Sequence, residues 1–208
     1  MSIMTKAEQI ITLLKVQYPD PKCELDYNAA KPHELLIAAR LSAQCTDKRV
    51  NATTPELFGK FRSVCDFALA DVREIERIIK PCGLYKTKAA SIAAMCQMLL
   101  ERHDGAIVGD MDALLELPGV GRKTANLILG ELYSLPAIVA DTHVIRLSNR
   151  LGLVDTKDAV KVEMSLRELV PPSESMAFCH RLVLHGRNVC KARSPDCAAC
   201  VLREVCVF

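Results

Sequence analysis

Residues 117–125, Leu-Pro-Gly-Val-Gly-Arg-Lys-Thr-Ala, lie between two apolar segments with helical spacing and predict two helices joined by a tight hairpin. Pro118 fixes one backbone φ and ends the preceding helix, while Gly119 and Gly121 allow positive φ and the close approach of another backbone. The first amides of the second helix have no acceptor within that helix and lie at its positive end beside Arg122. The stretch therefore predicts a hairpin whose backbone binds a phosphate.

Lys123 makes this hairpin unusual, because it falls in the first turn of the second helix. A cation is unfavourable there, since the helix dipole repels it. Without the lysine, an ordinary helix-turn-helix connection would explain the Pro-Gly-x-Gly pattern equally well. A titratable amine at an unfavourable position favours a functional role instead.

Composition predicts an all-α fold: the chain has 208 residues, 50% of them hydrophobic and only 4% aromatic, with no tryptophan. No segment alternates with period two over a convincing length. The length allows one large core or two modest ones, and we place a domain boundary near residues 134–136. Asp71 and Glu74 predict a capping box. Helices are expected at about residues 5–17, 33–43, 71–79, 85–102, 110–117, 124–133, 142–150, 157–169 and 174–188.

Charge and targeting signals narrow the function classes. The net charge of +2 is too small to indicate a nucleic-acid partner by itself. The C-terminal part is nevertheless locally basic, with Asp196 as its one acid between positions 181 and 203. The sequence shows no secretory signal and no stretch of spanning length without a charge, which predicts a cytoplasmic protein with no membrane partner.

Four of the ten cysteines form a C-x6-C-x2-C-x5-C pattern, at Cys190, Cys197, Cys200 and Cys206. Without a secretory signal such a pattern favours a metal centre over disulfides. Structural zinc usually shows two C-x2-C pairs, and only one is present here, so an iron-sulfur cluster is favoured and zinc stays open. The six remaining cysteines are interpreted as small buried apolar residues.

Two cations lie between the first two cysteines of this pattern. A loop folded around a metal would present Lys191 and Arg193 on a rigid protrusion suited to a phosphate backbone. Ordinary surface charge is the alternative interpretation.

The hairpin at 117–125, the stretch Val139–His143 and the four cysteines, in this order, resemble the endonuclease III family of helix-hairpin-helix DNA glycosylase/lyases. Residues 42–47 and 83–85 also match that family, and the agreement runs from about residue 30 to residue 206. The resemblance implies a six-helix domain at 24–135 and an iron-sulfur cluster domain made of 1–23 and 136–208. These domains flank a DNA-binding groove in the family.

The resemblance also implies site residues and partners. Lys123 and Asp141 match the catalytic lysine and aspartate, and Cys190, Cys197, Cys200 and Cys206 match the ligands of a 4Fe-4S cluster. Gln44 and Leu84 match the residues that fill the gap and wedge the opposite strand when a damaged nucleotide is extruded. The hairpin residues Gly119, Gly121 and Arg122, with Lys191 and Arg193, are expected to contact DNA. The implied partner is double-stranded DNA with a damaged base or abasic site, bound by a monomer in the bacterial cytoplasm and associated there with the nucleoid.

Several of these assignments have simpler alternatives. Gln44 could be a polar residue at a helix end, Leu84 a core leucine and Asp141 a plain N-cap. Asp47 is a weaker candidate for the site, because the pair Thr46 and Asp47 is equally consistent with the start of a helix. His143 could support the site or simply pack, and we favour packing.

The implied activity is excision of oxidised pyrimidines in base excision repair through a lysine Schiff base and β-elimination. The nearest alternative is a monofunctional adenine-type glycosylase. Such enzymes carry no lysine at the hairpin position and use an essential glutamate in an early helix. This chain has Glu34 in an early helix, but the residues around it do not resemble the motif of those enzymes. A non-catalytic DNA-binding or redox-sensing iron-sulfur protein is the other alternative.

Overall fold

The computed structural model describes residues 5–208, and within that range the fold consists of α-helices, two short 3-10 turns and connecting loops, with no strand. The α-helices are α1 (Lys6–Gln17), α2 (Pro32–Leu41), α3 (Asp47–Lys60), α4 (Val64–Ala68), α5 (Val72–Ile79), α6 (Tyr85–His103), α7 (Met111–Glu116), α8 (Arg122–Tyr133), α9 (Thr142–Arg150), α10 (Ala159–Leu169) and α11 (Ser175–Asn188). The expected all-α class is confirmed. None of the helices in the described part of the chain has the length and apolar character needed to cross a bilayer.

The chain forms two compact units. One unit is the continuous segment Glu24–Tyr133, and the other combines the segment up to Cys23 with Ser134–Phe208. We call them the hairpin unit and the cysteine unit, after the motifs they carry.

The hairpin unit is built around α6, which packs against α4 and α5, while α8 packs against α2 and α7. Its core contains Leu35, Leu36, Ile37, Leu57, Phe67, Ile75, Ile92, Leu99, Leu114 and Ile128, all nearly or fully buried. The unit has seven α-helices, one more than the six implied by the family resemblance. The additional one is the single turn α4, which Ser63 and Asp66 start with a capping box.

Two helices, α3 and α4, were not predicted from the sequence. Thr46 caps α3 by accepting a hydrogen bond from the Arg49 amide, which confirms the helix-start interpretation of residues 46 and 47. Pro55 lies inside α3, where a proline normally argues against a helix, and this explains the omission.

In the cysteine unit, α11 packs against both α1 and α9. Gly186 allows the close approach of α9 and α11, because a Cβ there would lie 2.6 Å from Nδ1 of His143. The buried Arg181 donates to the Tyr18 carbonyl at 3.1 Å and to Glu174 at 3.1 Å. These contacts tie the end of α1 to α11.

The start of α5 differs from the prediction. Asp71 caps α5 by accepting from the Arg73 amide, but the capping box expected with Glu74 does not form. Glu74 instead accepts a hydrogen bond from the Lys60 ammonium at 2.7 Å. Asp110 caps the start of α7 by accepting a hydrogen bond from the Ala113 amide.

Candidate functional site

The hairpin between α7 and α8 is a four-residue turn closed by a 3.0 Å hydrogen bond from the Val120 amide to the Leu117 carbonyl. Pro118 and Gly119 occupy the two central positions, and Gly119 has φ +80°, the combination that a type II turn requires. Leu117 and Val120 are buried and anchor the turn from both sides. The first helical hydrogen bond of α8 then runs from the Ala125 amide to the Gly121 carbonyl at 2.9 Å.

The two hairpin glycines serve different purposes. A Cβ at Gly119 would lie 2.5 Å from Nε of Arg40, so the close approach there is to the protein's own side chain. Gly121 does not have positive φ, and a Cβ there would have no atom within 4 Å. The expectation of positive φ is therefore wrong for Gly121, whose exposed Cα leaves room for an incoming group at the start of α8.

Lys123 is the second residue of α8, as expected, and its side chain is exposed. Its amine is therefore accessible to an incoming group at the start of α8. Arg122, the first residue of α8, is half-buried.

Gln44 and Leu84 share an uncommon backbone conformation, with φ +54° and +47°. Gln44 is the third residue of a turn closed by the Cys45 amide and the Ser42 carbonyl at 3.1 Å, a position that favours glycine. Leu84 occupies the N-cap of α6 without a side-chain cap and is 57% exposed. Leu84 is therefore not a core leucine, and both strained residues present their side chains to solvent.

A residue that the sequence analysis missed connects these two loops. Lys88 on α6 is fully buried, and its ammonium donates to the Leu41 carbonyl at 2.7 Å and to the Cys82 carbonyl at 2.8 Å. Its position was detectable, because Lys88 shares the apolar face of α6 with Ile92 and Leu99.

Asp141 lies in the cysteine unit at the N-cap of α9, where one carboxylate oxygen accepts a hydrogen bond from the Val144 amide at 2.8 Å. The buried segment before it is held by α11: Ser175 accepts from the Ala137 amide and the Cys179 thiol from the Val139 amide. Burial raises the pKa of Cys179 to about 12, so this thiol stays neutral. The capping role is present, and it leaves the second carboxylate oxygen for other contacts.

The two remaining candidates, His143 and Glu34, make contacts that support the fold. His143 faces Gly186, and its Nδ1 lies 3.2 Å from the Arg146 guanidinium, in agreement with packing. Glu34, the only residue considered for an adenine-type mechanism, is 6% exposed and accepts from the Asn28 amide at 3.0 Å. Its carboxylate therefore supports the start of α2.

The four patterned cysteines form a cluster of thiols after α11, in the cysteine unit. Cys190, Cys200 and Cys206 line a small cavity with three leucines, Leu147, Leu151 and Leu202. Burial raises the pKa of the Cys200 thiol. A hydrogen bond with the Leu202 backbone opposes this effect on the pKa in part, and the neighbouring Cys190, Cys206 and Cys197 each add a smaller increase. Across residues 5–208, no three His, Cys, Asp or Glu side chains converge tightly enough to hold a single metal ion.

The other six cysteines are only partly as expected. Cys82, Cys96 and Cys179 are buried, but Cys65 is exposed and Cys23 and Cys45 are partly exposed. The interpretation as small buried apolar residues is therefore wrong for these last three.

Two arginines of α9 organise the loop that carries the patterned cysteines. Arg150 donates to the Cys190 sulfur at 3.2 Å and to the carbonyls of Lys191 and Ala192 at 3.0 and 2.9 Å. Arg146 donates to the Cys190 carbonyl at 3.0 Å. Lys191 and Arg193 are exposed. The arginines of α9 therefore hold the loop backbone while both of these cations face solvent.

The type II turn at the start of α8 and its exposed Gly121 place the chain in the class of helix-hairpin-helix DNA-binding proteins. The chain belongs to the HhH-GPD superfamily of base excision DNA repair proteins, whose family model matches residues 37–172. Endonuclease III of Synechocystis sp. is 42% identical over 202 residues, which cover 97% of this chain and 91% of that protein.

Solved structures give the same result. A non-covalent Endonuclease III–DNA complex superposes with a TM-score of 0.91 at 41% identity, covering 99% of this chain and 96% of that chain. A trapped covalent Endonuclease III–DNA intermediate also superposes with a TM-score of 0.91, at 42% identity and with coverage of 99% and 97%. The family resemblance stated from the sequence is confirmed.

Proposed function

We propose that this chain is a bifunctional DNA glycosylase and abasic-site lyase of base excision repair, acting on oxidised or ring-saturated pyrimidines in double-stranded DNA. The observation that carries the proposal is the exposed Lys123 directly after a phosphate-binding type of hairpin, in a chain of this family. The similarity to a trapped covalent protein–DNA intermediate supports the bifunctional activity.

In this proposal the hairpin binds DNA, and Lys123 reacts with the sugar of the damaged nucleotide. The Gly121 backbone and the start of α8 hold a DNA phosphate. The Lys123 amine forms a bond to the sugar C1′ while the bond from C1′ to the base breaks, and the base leaves as a protonated species. The C1′–O4′ bond then breaks as O4′ takes up a proton, which opens the sugar ring and leaves an iminium between C1′ and the lysine nitrogen. The iminium makes a C2′ proton acidic, and loss of that proton expels the 3′ phosphate.

Asp141 supports this reaction. As a carboxylate with one oxygen engaged by the Val144 amide, it keeps the other oxygen to stabilise positive charge on the sugar and to accept a proton from the lysine amine. Its N-cap position fixes the carboxylate relative to α9. The cap and the catalytic role are therefore compatible.

Gln44 and Leu84 hold the duplex open while the damaged nucleotide is extruded. The apolar Leu84 side chain wedges the opposite strand, and the Gln44 amide fills the gap. Their exposure and their strained backbone support this role, because strain of this kind concentrates at functional positions.

The four patterned cysteines hold a 4Fe-4S cluster in our proposal. Three of these thiols share a small cavity with Leu147, Leu151 and Leu202, with His185, and with Arg150, which donates to the Cys190 sulfur at 3.2 Å. Because only one C-x2-C pair is present, the donor set is less typical of structural zinc, and the four thiolates would hold an iron-sulfur cluster. The cluster supplies a structural centre that keeps Lys191 and Arg193 in place for DNA phosphates.

The test is borohydride trapping with protein purified without air, on one duplex with a single thymine glycol and one with an abasic site. We expect a covalent adduct on both. The Lys123→Gln variant should lose trapping and strand cleavage while keeping its affinity for abasic DNA. Lys161→Gln is the matched control, because Lys161 is also an exposed lysine in the first turn of a helix.

Each outcome separates the candidate functions. An adduct on the abasic duplex alone would keep the lyase and reject this lesion as substrate. Tight binding with no adduct on either duplex would refute the lysine mechanism and favour the DNA-binding or redox-sensing alternative. Base release without strand cleavage would favour the monofunctional glycosylase, which the structural role of Glu34 argues against.

A further inference from the structure

Lys88 is a buried cation without a role in the chemistry proposed above. Its side chain is 0% exposed, and burying a charged amine is costly unless it is well hydrogen-bonded. Burial lowers the pKa of its ammonium, and the neighbouring Cys45 and Cys82 thiols oppose that effect. The cost of burying this charge indicates that the specific hydrogen bonds of Lys88 are important to the structure around it.

The first contact of Lys88 is with the end of α2. Its ammonium donates to the carbonyl of Leu41, the last residue of that helix, at 2.7 Å. The carbonyls in the last turn of a helix lack helical partners and carry the negative end of the dipole. Lys88 therefore fixes the point from which the chain enters the turn with Gln44, three residues later.

The second contact is with the loop that precedes α6. The ammonium donates at 2.8 Å to the carbonyl of Cys82, which ends the 3-10 turn Lys80–Cys82. Leu84 follows two residues later, at the N-cap of the same helix that carries Lys88. One buried group thus joins the two loops that contain the exposed, positive-φ residues Gln44 and Leu84.

We infer that Lys88 is a positioning residue for base extrusion, because its two hydrogen bonds set the spacing between Gln44 and Leu84. The inference rests on the proposed function, in which these two residues enter the duplex together. A wedge and a gap filler must match the separation of stacked bases, so a shift of one loop relative to the other impairs extrusion without affecting the hairpin or Lys123. Misplacement by about 1 Å at a reacting site can cost about 100-fold in rate.

The test compares Lys88→Met with Gln97→Met under single-turnover conditions. Methionine retains the length of the buried chain and removes both hydrogen bonds. Gln97 is the matched control, because it also extends from α6 to a carbonyl, that of Ala68 at 3.2 Å, but touches neither loop. One substrate is a duplex with a paired thymine glycol, and the other is single-stranded DNA with an abasic site, which needs no extrusion.

We expect Lys88→Met to slow excision from the paired duplex about 100-fold and to leave single-stranded cleavage within about threefold of wild type. 2-Aminopurine next to the lesion should show less unstacking on binding. Combining Lys88→Met with Leu84→Ala should cost little more than the larger single effect, because both act on one step. Gln97→Met should match wild type on both substrates.

Equal losses on the two substrates, or effects of Lys88→Met and Leu84→Ala that multiply, would overturn the inference and leave Lys88 a support of the fold. If Lys88→Met does not fold, Lys88→Arg is used instead, because arginine keeps the positive charge and the N–H donors but places them at a different distance from the two carbonyls. The comparison with Leu84→Ala is then repeated with Lys88→Arg, and we expect loss of activity on the paired duplex alone. A wild-type chain that cleaves neither substrate would overturn the proposed function and this inference with it.

Discussion

Replacing Gly119 by alanine tests why a glycine is required in the hairpin. An alanine at φ +80° costs about 1–2 kcal/mol in backbone strain. Its Cβ would also lie 2.5 Å from Nε of Arg40, a contact that forces the arginine to move. Because Arg40 donates to the Ser91 hydroxyl at 2.8 Å, that movement loses a hydrogen bond worth about 1 kcal/mol.

We therefore expect Gly119→Ala to lower the free energy of unfolding by about 2–3 kcal/mol in total. For a chain of this length that corresponds to a fall in melting temperature of about 4–12 °C. Thermal unfolding followed by circular dichroism measures it directly.

Gly121→Ala is the matched variant in the same hairpin. Its Cβ has no atom within 4 Å and its backbone φ is not positive, so the melting temperature should stay within about 2 °C of wild type. In the proposed function, the added methyl group would instead occupy the space that a DNA phosphate takes. Affinity for abasic DNA, measured by fluorescence anisotropy, should fall about tenfold if one charge-assisted hydrogen bond is lost.

The two variants together can refute the reasoning. An unchanged melting temperature for Gly119→Ala would show that the Arg40–Ser91 contact does not hold the turn. A destabilised Gly121→Ala with unchanged DNA affinity would show that the open side of the hairpin does not face a phosphate.

Three further predictions follow from other parts of the chain. Leu84→Asn should keep the melting temperature within about 2 °C, because asparagine tolerates positive φ and the leucine is exposed, yet excision from paired duplexes should fall; unchanged excision would argue against the wedge. Arg150→Gln removes the donors to the Lys191 and Ala192 carbonyls, so the slope of log Kd against log salt concentration should decrease by about one to two; an unchanged slope would show that this loop does not contact phosphates. Burial acts to raise the pKa of Glu174, but Lys15 and Arg181 outweigh it and hold the pKa below 4.5. This carboxylate therefore stabilises the fold above that pH, and the stability is lost as pH falls through the lowered pKa. Glu174→Gln should flatten this acid limb in a plot of the free energy of unfolding against pH, and an unchanged limb would contradict the role of the two cations.

Most helix starts were predictable because they depend on local hydrogen bonds. Asp141 and Asp110 accept from amides three residues later, and such caps are visible in sequence. The two failures differ in origin. Pro55 inside α3 is a local feature that argues against a helix, whereas Glu74 pairs with Lys60, which is distant in the sequence, rather than completing a capping box. Where a side chain has both a near and a distant hydrogen-bond partner, the packing of the helices determines which partner it contacts.

The sequence alone determined the all-α class, the family, the type of hairpin and the thiol pattern, because each depends on residue types at short spacing. Only the tertiary structure decided that Gly119 makes room for Arg40, that Leu84 is exposed rather than buried, and that Lys88 joins two loops 41 residues apart. These properties depend on which distant atoms meet, and no local pattern records them. Burial of a charge or an apolar side chain is a property of the assembled core, which forms only when separate helices pack together.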